Sequence, residues 1–562
     1  MPAKEIAMHQ VYRSSWFVCT TVILGLAHLS PSAGENPLSR GDWVGELRMK
    51  DSTQYVHLRF LGDTTGAEAF VDLPQDNSWN VSAPFRVLSD GGLEIDLPLG
   101  RDTVLLRGTV GDHEINARGP LAGATASLRA IRRMPYDSAK IRPLAGNYAI
   151  ARDRVISMGP MDEANGWLAF FDSKTLRGGI LYALSDSVLF SGPSFGIDYP
   201  VVIRATIERD NAGRIRSLRW EEEGREARRA RRLDDLEQED VAFQNGDVRL
   251  VGNVTLPKSA GRHPAVILIH GCCGTIPTRD FGYWSAYLAH HGFAVLAFDR
   301  RGGGESTGDA NASYEELARD VLAGLKMLQA RPDIDSPHIG LYGMSNGGYV
   351  APLAAVRSGG QVAFVAVRSG SARPVGGNID YEVGNDLRSQ GFDERAVDRA
   401  VAIRRRVTDF VVQRPEISPA AWDSLKAEVN RVADEPWFGW SRTAWVPLVS
   451  VSDPDGRAYL ATLRSAWEYD PMPYWKQVRM PIYVMLGGLD RSVPSQETAS
   501  ALRSAFSLVK HPDATVRLFP NGDHGLLVAD EGRGGRSEPY YVPDFQAGLV
   551  DWLRSHTSSG SR

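Results

Sequence analysis

The chain has 562 residues, of which 43% are hydrophobic and 23% are charged, and these values are ordinary for globular proteins. A chain of this length is expected to contain about three or four domains. Its 63 basic and 68 acidic side chains leave a net charge of −5, which gives no indication of binding to nucleic acid or to an anionic membrane surface.

Residues 1–34 have the pattern of a secretory signal peptide. Lys4 and Arg13 precede an apolar run over residues 15–29, and Pro31-Ser32-Ala33-Gly34 supplies small residues for cleavage. The apolar run is short for a membrane span. We therefore expect an exported protein, periplasmic or extracellular in a bacterium, with no stable membrane insertion after removal of the signal. An uncleaved N-terminal anchor and a misplaced start are the alternatives.

Residues 35–138 and 139–238 are predicted to form two small antiparallel β modules of the sandwich or barrel type. Apolar and polar residues alternate in short runs, as they do in half-buried strands. Glycine and aspartate pairs between these runs indicate turns. The predicted strands include residues 56–60, 93–97, 147–150, 187–190 and 201–205. The charge-dense segment 221–235 is predicted to be a solvated linker.

Residues 239–562 are predicted to form a mostly parallel, doubly wound α/β sheet. Continuous apolar runs alternate with helical segments, which is typical of strands that are covered on both faces. The predicted strands are 265–269, 294–298, 362–367, 482–486 and 515–519, and the predicted helices include 314–329 and 545–553.

The alternation of strands and helices stops between residues 372 and 474. This segment has helical patterns over residues 397–412 and 419–432, and residues 437–445 are rich in aromatic side chains. An insertion of this size at this point predicts a lid over a site. We interpret most of its tryptophans as the core of the lid itself.

Gly343-Met344-Ser345-Asn346-Gly347 is the most informative motif of the chain. A short apolar run precedes it and small apolar residues follow it, so the motif is predicted to lie between a strand and a helix. A G-x-S-x-G turn in this context exposes a serine hydroxyl at the top of a sheet. A side chain in place of either glycine would collide with neighbouring backbone. Ser345 is therefore the candidate nucleophile.

A serine nucleophile needs a base that takes its proton and a carboxylate that orients the base. His524 follows the predicted strand 515–519 in a turn rich in glycine, and Asp490 follows the predicted strand 482–486 in another. The order serine, aspartate, histidine is one of the known orders of such triads. Asp523 is the competing acid, and it ranks below Asp490 because a carboxylate next to the histidine usually points away from it.

The negative charge that develops on the substrate needs two backbone N–H donors. We assign one donor to Asn346 and the other to Cys272, with Cys273 as second choice. A cysteine nucleophile is the rival interpretation of this pair, and it is disfavoured because no histidine is positioned for a thiol. His270 is predicted to hydrogen-bond locally. No metal site is predicted, because no histidine and carboxylate spacing resembles a ligand set, and no cofactor is implied.

Residues 240–556 resemble an α/β-hydrolase of the dienelactone-hydrolase and prolyl-oligopeptidase-like branch. Residues 299–306, Asp-Arg-Arg-Gly-Gly-Gly-Glu-Ser, are similar to the family's D-x-R-G-x-G-x-S loop, and His270-Gly271, the serine turn and the acid turn also match. The resemblance implies an α/β-hydrolase fold that follows an N-terminal β-rich extension. The adjacent cysteines depart from the family's usual small residues, which leaves open which amide donates.

These residues predict a serine hydrolase that cleaves small-molecule carboxylic esters through an acyl-enzyme. An exported peptidase, of the aminopeptidase or prolyl-oligopeptidase type, is the first alternative, because Asp380 and Glu382 would bind the free amine of a peptide if they face the site. They would equally well face water. A thioesterase or acyltransferase is a further alternative. A non-catalytic binding protein is disfavoured by the intact triad.

Overall fold

The computed structural model describes residues 42–61, 68–73, 78–88, 92–99, 102–121, 123–134, 138–162, 167–193, 199–271, 282–529 and 537–557. They divide into two compact units whose boundary in the sequence lies between Asp234 and Asp235. The predicted signal peptide, residues 1–34, lies outside the described residues.

The first β module is an antiparallel sheet. Its strands are β1 (Asp42–Arg48), β2 (Thr53–Leu61), β3 (Glu68–Leu73), β4 (Ser78–Ser82), β5 (Phe85–Val87), β6 (Gly92–Leu99), β7 (Asp102–Val110), β8 (Glu114–Leu121) and β9 (Ala124–Arg133). The strand order is β4-β3-β2-β1-β9-β8-β7-β6-β5. Side chains alternate between the two faces of each strand, and those on one face form the apolar core. In β6, Leu93, Ile95 and Leu97 are completely buried, and the residues between them are not.

This sheet curls strongly. Strands β4 and β5 lie at its two edges, yet only residues 83 and 84 separate them in the chain. Three consecutive Cα–Cα steps span at most about 11 Å, so the edges must approach each other. The residues of this short link bond to strands on both sides: the Ala83 N–H donates to the Ala69 carbonyl, and the Pro84 carbonyl accepts from the Asp96 N–H, each at 2.8 Å.

The second β module is a closed barrel. A short helix, α1 (Ser138–Ile141), precedes it. The strands are β10 (Gly146–Ala151), β11 (Arg154–Asp162), β12 (Trp167–Asp172), β13 (Gly178–Ser185), β14 (Val188–Ser191), β15 (Ile203–Arg209), β16 (Ile215–Glu222) and β17 (Arg228–Arg232). The barrel closes because β17 pairs with β10. Its interior is filled by apolar side chains, among which Phe170 and Trp220 pack edge to face at 5.4 Å.

The prediction of a solvated linker over residues 221–235 is wrong. Residues 228–232 form β17, the strand that completes the barrel. Only Ala230 of this strand is buried, so no apolar pattern marks the strand in the sequence. Arg229 is exposed and pairs with Glu208 at 2.7 Å.

The second unit contains a mostly parallel sheet. Its strands are β18 (Leu236–Asn245), β19 (Val248–Pro257), β20 (His263–Ile269), β21 (Ala294–Phe298), β22 (Ile334–Met344), β23 (Val365–Arg368), β24 (Ile482–Gly487) and β25 (Ala514–Phe519), in the order β18-β19-β21-β20-β22-β23-β24-β25. Strands β18 and β19 are antiparallel to their neighbours, and the remaining pairs are parallel. The pair β26 (Leu527–Ala529) and β27 (Ser537–Tyr541) forms a separate small sheet.

The helices of this unit are α2 (Trp284–His290), α3 (Tyr314–Gln329), α4 (Gly347–Arg357), α5 (Val375–Ser389), α6 (Glu394–Val412), α7 (Pro419–Asn430), α8 (Pro454–Trp467), α9 (Met472–Trp475), α10 (Ser495–Leu508) and α11 (Phe545–Ser555). Helix α3 has the bounds that its apolar spacing predicts, and a capping box of Ser313 and Glu316 fixes its start. The strands and flanking helices agree with the predicted doubly wound α/β class.

Helices α5 to α9 belong to the insertion, residues 369–481, which separates β23 from β24. The insertion has its own apolar core, in which Trp422, Trp437, Trp445 and Trp467 are buried. The prediction that most of its tryptophans form this core is confirmed. Among the described residues, no helix combines the length and apolar character that crossing a bilayer demands.

Candidate active site

The serine turn connects the central strand to a helix. Strand β22 ends at Met344, and α4 begins at Gly347. Ser345 between them has a φ of 53°, a left-handed conformation that is costly for a residue with a side chain and is concentrated at functional turns. A Cβ on Gly343 would lie 2.6 Å from the Gly347 carbonyl oxygen, and one on Gly347 would lie 2.4 Å from the Ile269 oxygen. Both glycines are therefore required by close backbone contacts.

The structure brings together Ser345, Asp490 and His524, which the sequence places in three separate turns. The Nε2 atom of His524 lies 2.9 Å from the Ser345 Oγ, and its Nδ1 atom lies 2.8 Å from the Asp490 Oδ2. In the neutral ring, donation from Nδ1 to the carboxylate leaves a lone pair on Nε2, so the ring is placed to accept the serine proton. The Asp490 side chain is fully buried, and that of His524 is 13% exposed.

The remaining oxygen of Asp490 is held by its own turn. The Asp490 Oδ1 accepts the backbone N–H groups of Ser492 and Val493, each at 2.8 Å. Both oxygens of the buried carboxylate are thus satisfied, one by backbone and one by the imidazole, which is the condition for keeping a charge in a buried position.

Two opposing effects set the pKa of His524. Burial of the ring by itself lowers this pKa, but the charge of Asp490 and its hydrogen bond raise it, and the net result is a pKa above the ordinary value of histidine. The ring therefore protonates more readily than a free histidine. This is the property expected of a base that must accept a proton from a hydroxyl.

Asp523, the competing acid, shapes the histidine turn. Its Oδ1 accepts the N–H of Leu527 at 2.9 Å, and its backbone N–H donates to the Leu527 carbonyl at 2.8 Å. Asp523 is 2% exposed, and its two hydrogen bonds close the loop around His524.

A residue that the sequence does not single out anchors this histidine turn. The Ser369 hydroxyl donates to the His524 carbonyl at 2.6 Å. Ser369 is completely buried and has a φ of 55°. The carbonyl of its neighbour Arg368 accepts a hydrogen bond from the Ser345 N–H at 2.8 Å. The Arg368 guanidinium donates a hydrogen bond to the Gly525 carbonyl at 3.4 Å. The end of β23 therefore contacts both the serine turn and the histidine turn.

The predicted oxyanion donors are only partly within the described residues. Asn346 directly precedes α4, and its side-chain amide donates to the Tyr314 hydroxyl at 2.8 Å. Its backbone amide lies at the N-terminus of the helix, where the helix dipole favours negative charge. Cys272 and Cys273 lie outside the described residues. A Cβ on Gly271, just before them, would lie 3.5 Å from the Ser345 Cβ.

His270 fixes the start of the same loop. Its Nδ1 contacts the Gly271 carbonyl at 3.1 Å, which agrees with the predicted local hydrogen bond. Burial and the charge of Arg300 lower the pKa of His270 to about 4, so the ring is neutral at pH 7 and acts as a hydrogen-bond donor to the loop.

Three tyrosines pack beside the serine turn. Tyr314 and Tyr469 stack at 4.2 Å, and the Tyr469 hydroxyl donates to the Tyr349 carbonyl at 2.9 Å. Tyr469 belongs to the insertion, so this contact connects the insertion to α4. No sequence pattern placed these three tyrosines together, because their meeting depends on the packing of three separate segments.

Asp380 and Glu382 are both engaged with arginines. The Asp380 Oδ2 pairs with Arg405 at 3.1 Å, and the Glu382 Oε2 pairs with Arg442 at 2.8 Å. Arg442 also pairs with Asp386, at 2.7 Å. Glu382 is near enough to His524 to contribute to its raised pKa, whereas Asp380 is buried within the insertion.

The Asp299–Ser306 loop has a structural role. The Ser306 hydroxyl donates to the Asp299 carbonyl at 2.8 Å, and the Asp299 Oδ2 accepts the Glu305 N–H at 3.0 Å. Arg301 is 5% exposed and pairs with Asp320 on α3 at 2.6 Å. The motif therefore ties the loop after β21 to the helix that follows. Among the described residues, no group of three or more His, Cys, Asp and Glu side chains has an arrangement suited to a metal ion.

Comparison with protein families agrees with this architecture. The model of the α/β hydrolase family matches residues 266–533, a range that includes the serine, acid and histidine turns. This part of the chain matches the α/β hydrolases in sequence and has their fold. The family resemblance and the fold class predicted from the sequence are thereby confirmed, and the family indicates a hydrolytic enzyme.

Several proteins are similar to this chain over part of its length. Esterase EstD of Thermotoga maritima is 28% identical over 307 residues, which are 53% of this chain and 62% of the esterase. Thiohydrolase aneE of Aspergillus aculeatus is 24% identical over 327 residues, 55% of this chain and 94% of the thiohydrolase. An esterase structure from Pyrococcus furiosus covers 57% of this chain and 90% of its own at 16% identity, with a TM-score of 0.35.

The shared length differs among the relatives. An uncharacterized 31.7 kDa protein of Escherichia coli is 33% identical over 94 residues, which are 16% of this chain and 32% of that protein. The chain thus spans about a third of this relative and 62% of the Thermotoga esterase.

Proposed function

We propose that this α/β hydrolase cleaves carboxylic ester bonds through an acyl-enzyme on Ser345. The observation that carries the proposal is the placement of the His524 ring, which lies 2.9 Å from the Ser345 Oγ and 2.8 Å from the Asp490 Oδ2. A hydroxyl, an imidazole and a buried carboxylate in this order are the components of serine-dependent acyl transfer.

In the proposed reaction the Ser345 Oγ attacks the ester carbonyl while the His524 Nε2 accepts the hydroxyl proton. The oxyanion is held by the backbone amide of Asn346 and by that of Cys272 or Cys273. Collapse of this intermediate expels the alcohol, which takes its proton from His524. Water then attacks the acyl-enzyme with the same base and releases the acid. The proposed reaction uses no metal and no cofactor.

The charges of the insertion favour an ester over a peptide. A peptide amine binds a carboxylate less strongly when a guanidinium competes for the same oxygens. Asp380 faces Arg405 and Glu382 faces Arg442 in ion pairs. These pairs disfavour the peptidase alternative, since an ammonium group would have to displace a guanidinium.

A thioester substrate is the second candidate. The similarity to Thiohydrolase aneE extends over 94% of that relative, and a thioester carbonyl is attacked by the same nucleophile, base and oxyanion donors. The two candidates differ only in the leaving group, which is an alcohol in one and a thiol in the other.

Hydrolysis of p-nitrophenyl acetate and butyrate, of the matching acyl thioesters, and of aminoacyl and prolyl p-nitroanilides tests the proposal. The protein should begin near residue 35, with Ser345→Ala as the control. We expect ester hydrolysis that is lost about 10⁴-fold or more in S345A, together with covalent labelling of Ser345 by a fluorophosphonate. Thioester turnover far above ester turnover would support the second candidate. Ester hydrolysis that persists in S345A would contradict the proposal.

We also propose that the substrate is a small molecule and that the protein is exported. The proposal of export rests on the signal-like residues 1–34. N-terminal sequencing of protein recovered from the periplasm of an expressing bacterium tests this proposal. Cleavage close to residue 34 supports it, and an intact Met1 on cytoplasmic protein contradicts it.

A further inference from the structure

Helix α5, the first helix of the insertion, makes a row of hydrogen bonds to the loop that carries the candidate acid. Asn378, Tyr381 and Asn385 each donate a side-chain hydrogen bond, and the three acceptors are the consecutive backbone carbonyls of residues 490–492. The distances are 3.0, 3.0 and 2.8 Å. The donors are three and four residues apart, so they lie on one face of the helix.

The geometry of each contact is specific. Tyr381 donates to the carbonyl of Asp490 itself. Asn385 donates to the carbonyl of Arg491, and Asn378 donates to that of Ser492. Asn378 is 8% exposed, which places this contact in a site that water does not readily enter.

Two of these carbonyls belong to the peptide units whose N–H groups hold the carboxylate. The carbonyl of Arg491 shares its planar unit with the N–H of Ser492, and the carbonyl of Ser492 shares one with the N–H of Val493. Both N–H groups donate to the Asp490 Oδ1 at 2.8 Å. A trans peptide unit directs its C=O and N–H in opposite directions. The asparagines of α5 therefore bind one end of each unit, and Asp490 binds the other end.

This arrangement orients and polarises the acid's donors. A carbonyl that accepts a hydrogen bond strengthens the donor at the other end of its unit, and a peptide plane that is held at both ends has little freedom to rotate. The second oxygen of Asp490, Oδ2, contacts His524 at 2.8 Å. Rotation of either peptide plane would therefore release one oxygen of the carboxylate and disturb the other.

We propose that Asn378, Tyr381 and Asn385 are positioning residues, through which the insertion fixes the orientation of Asp490 toward His524. This inference rests on the proposed function for its effect on catalysis. It assigns to α5 the role of a fixed support of the acid turn, in contrast to a lid that lifts away from the site.

The test compares three variants of the full protein with one control. The variants are the double change Asn378→Ala with Asn385→Ala, the single change Asn385→Ala, and the mild change Tyr381→Phe, which removes one hydroxyl. The control is Ser389→Ala, which removes an exposed hydroxyl from the same helix; this hydroxyl donates to the Asp386 carbonyl at 2.7 Å.

Two readouts separate positioning from structural damage. The first is the division of the effect between kcat and KM for a p-nitrophenyl ester, together with the pH dependence of kcat/KM. The second is the pKa of His524, followed by NMR of ¹³C-labelled histidine and assigned with His524→Ala. The charged groups that face this ring, Asp490, Glu382 and Arg368, are unchanged in all the variants.

We expect kcat of the double variant to fall about 10- to 100-fold with KM nearly unchanged, because misplacing a catalytic group by about 1 Å has effects of this size. Weaker contact with Asp490 leaves burial as the dominant effect, so the pKa of His524 should fall and the acid limb of kcat/KM should move to lower pH. N385A and Y381F should show the same directions to a smaller extent, and S389A should match wild type.

An unchanged His524 pKa and unchanged kcat in folded N385A and Y381F would overturn the inference. The NMR measurement does not depend on turnover. A protein with no Ser345-dependent hydrolysis would therefore refute the proposed function, while the titration of His524 would still decide whether α5 positions the acid turn.

Discussion

At the scale of single residues, Ser369 is the clearest case of a side chain that supports the site from outside the triad. Its hydroxyl donates to the His524 carbonyl at 2.6 Å. A buried hydroxyl bond of this kind contributes about 1 kcal/mol to the free energy of unfolding. Its larger importance is geometric, because the acceptor is the backbone of the residue whose ring must reach Ser345.

Ser369→Gly should lower kcat about tenfold and leave KM nearly unchanged, because small displacements of a catalytic group reduce the rate strongly. Glycine removes the hydroxyl without adding strain, since the φ of 55° at this position suits glycine. Ser358→Ala is the matched control, because Ser358 is a buried serine whose hydroxyl donates to Ala355 at the end of α4. Ester kinetics and thermal unfolding of both variants give the answer, and equal kcat in both would contradict this role.

The raised pKa of His524 predicts the pH dependence of the reaction. The base must be neutral to accept the serine proton, so kcat/KM should fall as the pH drops through the His524 pKa. Because Asp490 raises this pKa, the acid limb should lie above the ordinary histidine value of about 6.5. In Asp490→Asn the limb should move to lower pH and kcat should fall by about 10⁴-fold. A limb in the same place in both proteins would show that another group controls it.

At the scale of elements, the serine turn depends on close contact between its backbone and that of its neighbours. A Cβ on Gly343 would lie 2.6 Å from the Gly347 oxygen, whereas a Cβ on Gly377 in α5 would have no neighbouring atom within 4 Å. These two glycines therefore form a matched pair, one required by contact and one not.

Gly343→Ala should destabilise the fold by about 2 kcal/mol or more and abolish labelling of Ser345, because the backbone must shift to admit the methyl group. Gly377→Ala should instead raise the free energy of unfolding by about 0.5–1 kcal/mol, since alanine is the better helix former. Denaturant unfolding and fluorophosphonate labelling measure both effects. Normal stability and labelling in G343A would show that the turn is looser than these distances indicate.

The sequence predicted the elements whose residues have a clear local pattern. Continuous apolar runs predicted β20 and β21, and glycine-rich turns after strands pointed to Ser345, Asp490 and His524. Strand β17 was missed because only Ala230 of its five residues is buried. The donors of α5 were missed for another reason. Their function depends on the phase of the helix relative to the acid loop, which tertiary packing alone determines.

At the scale of the whole chain, the two units have separate apolar cores. Among the described residues, those before Asp235 form the apolar cores of the curled sheet and of the barrel. Those after it form the apolar cores of the α/β sheet and of the insertion. Ser345, His524 and Asp490 and the described groups that bond to them all belong to the second unit. Each unit is thus large enough to hold a core of its own.

A chain that begins at Asp235 should therefore fold and hydrolyse p-nitrophenyl acetate with a kcat comparable to that of the protein that begins near residue 35. The reason is that the complete parallel sheet, the insertion and the three turns are retained. Calorimetry of the longer protein should show two transitions, one of which matches the short protein. A second outcome is that the short protein folds and is labelled at Ser345 but has a much higher KM for larger esters than the longer protein. This result would show that the β modules contribute to substrate binding. A short protein that does not fold would contradict the independence of the second unit.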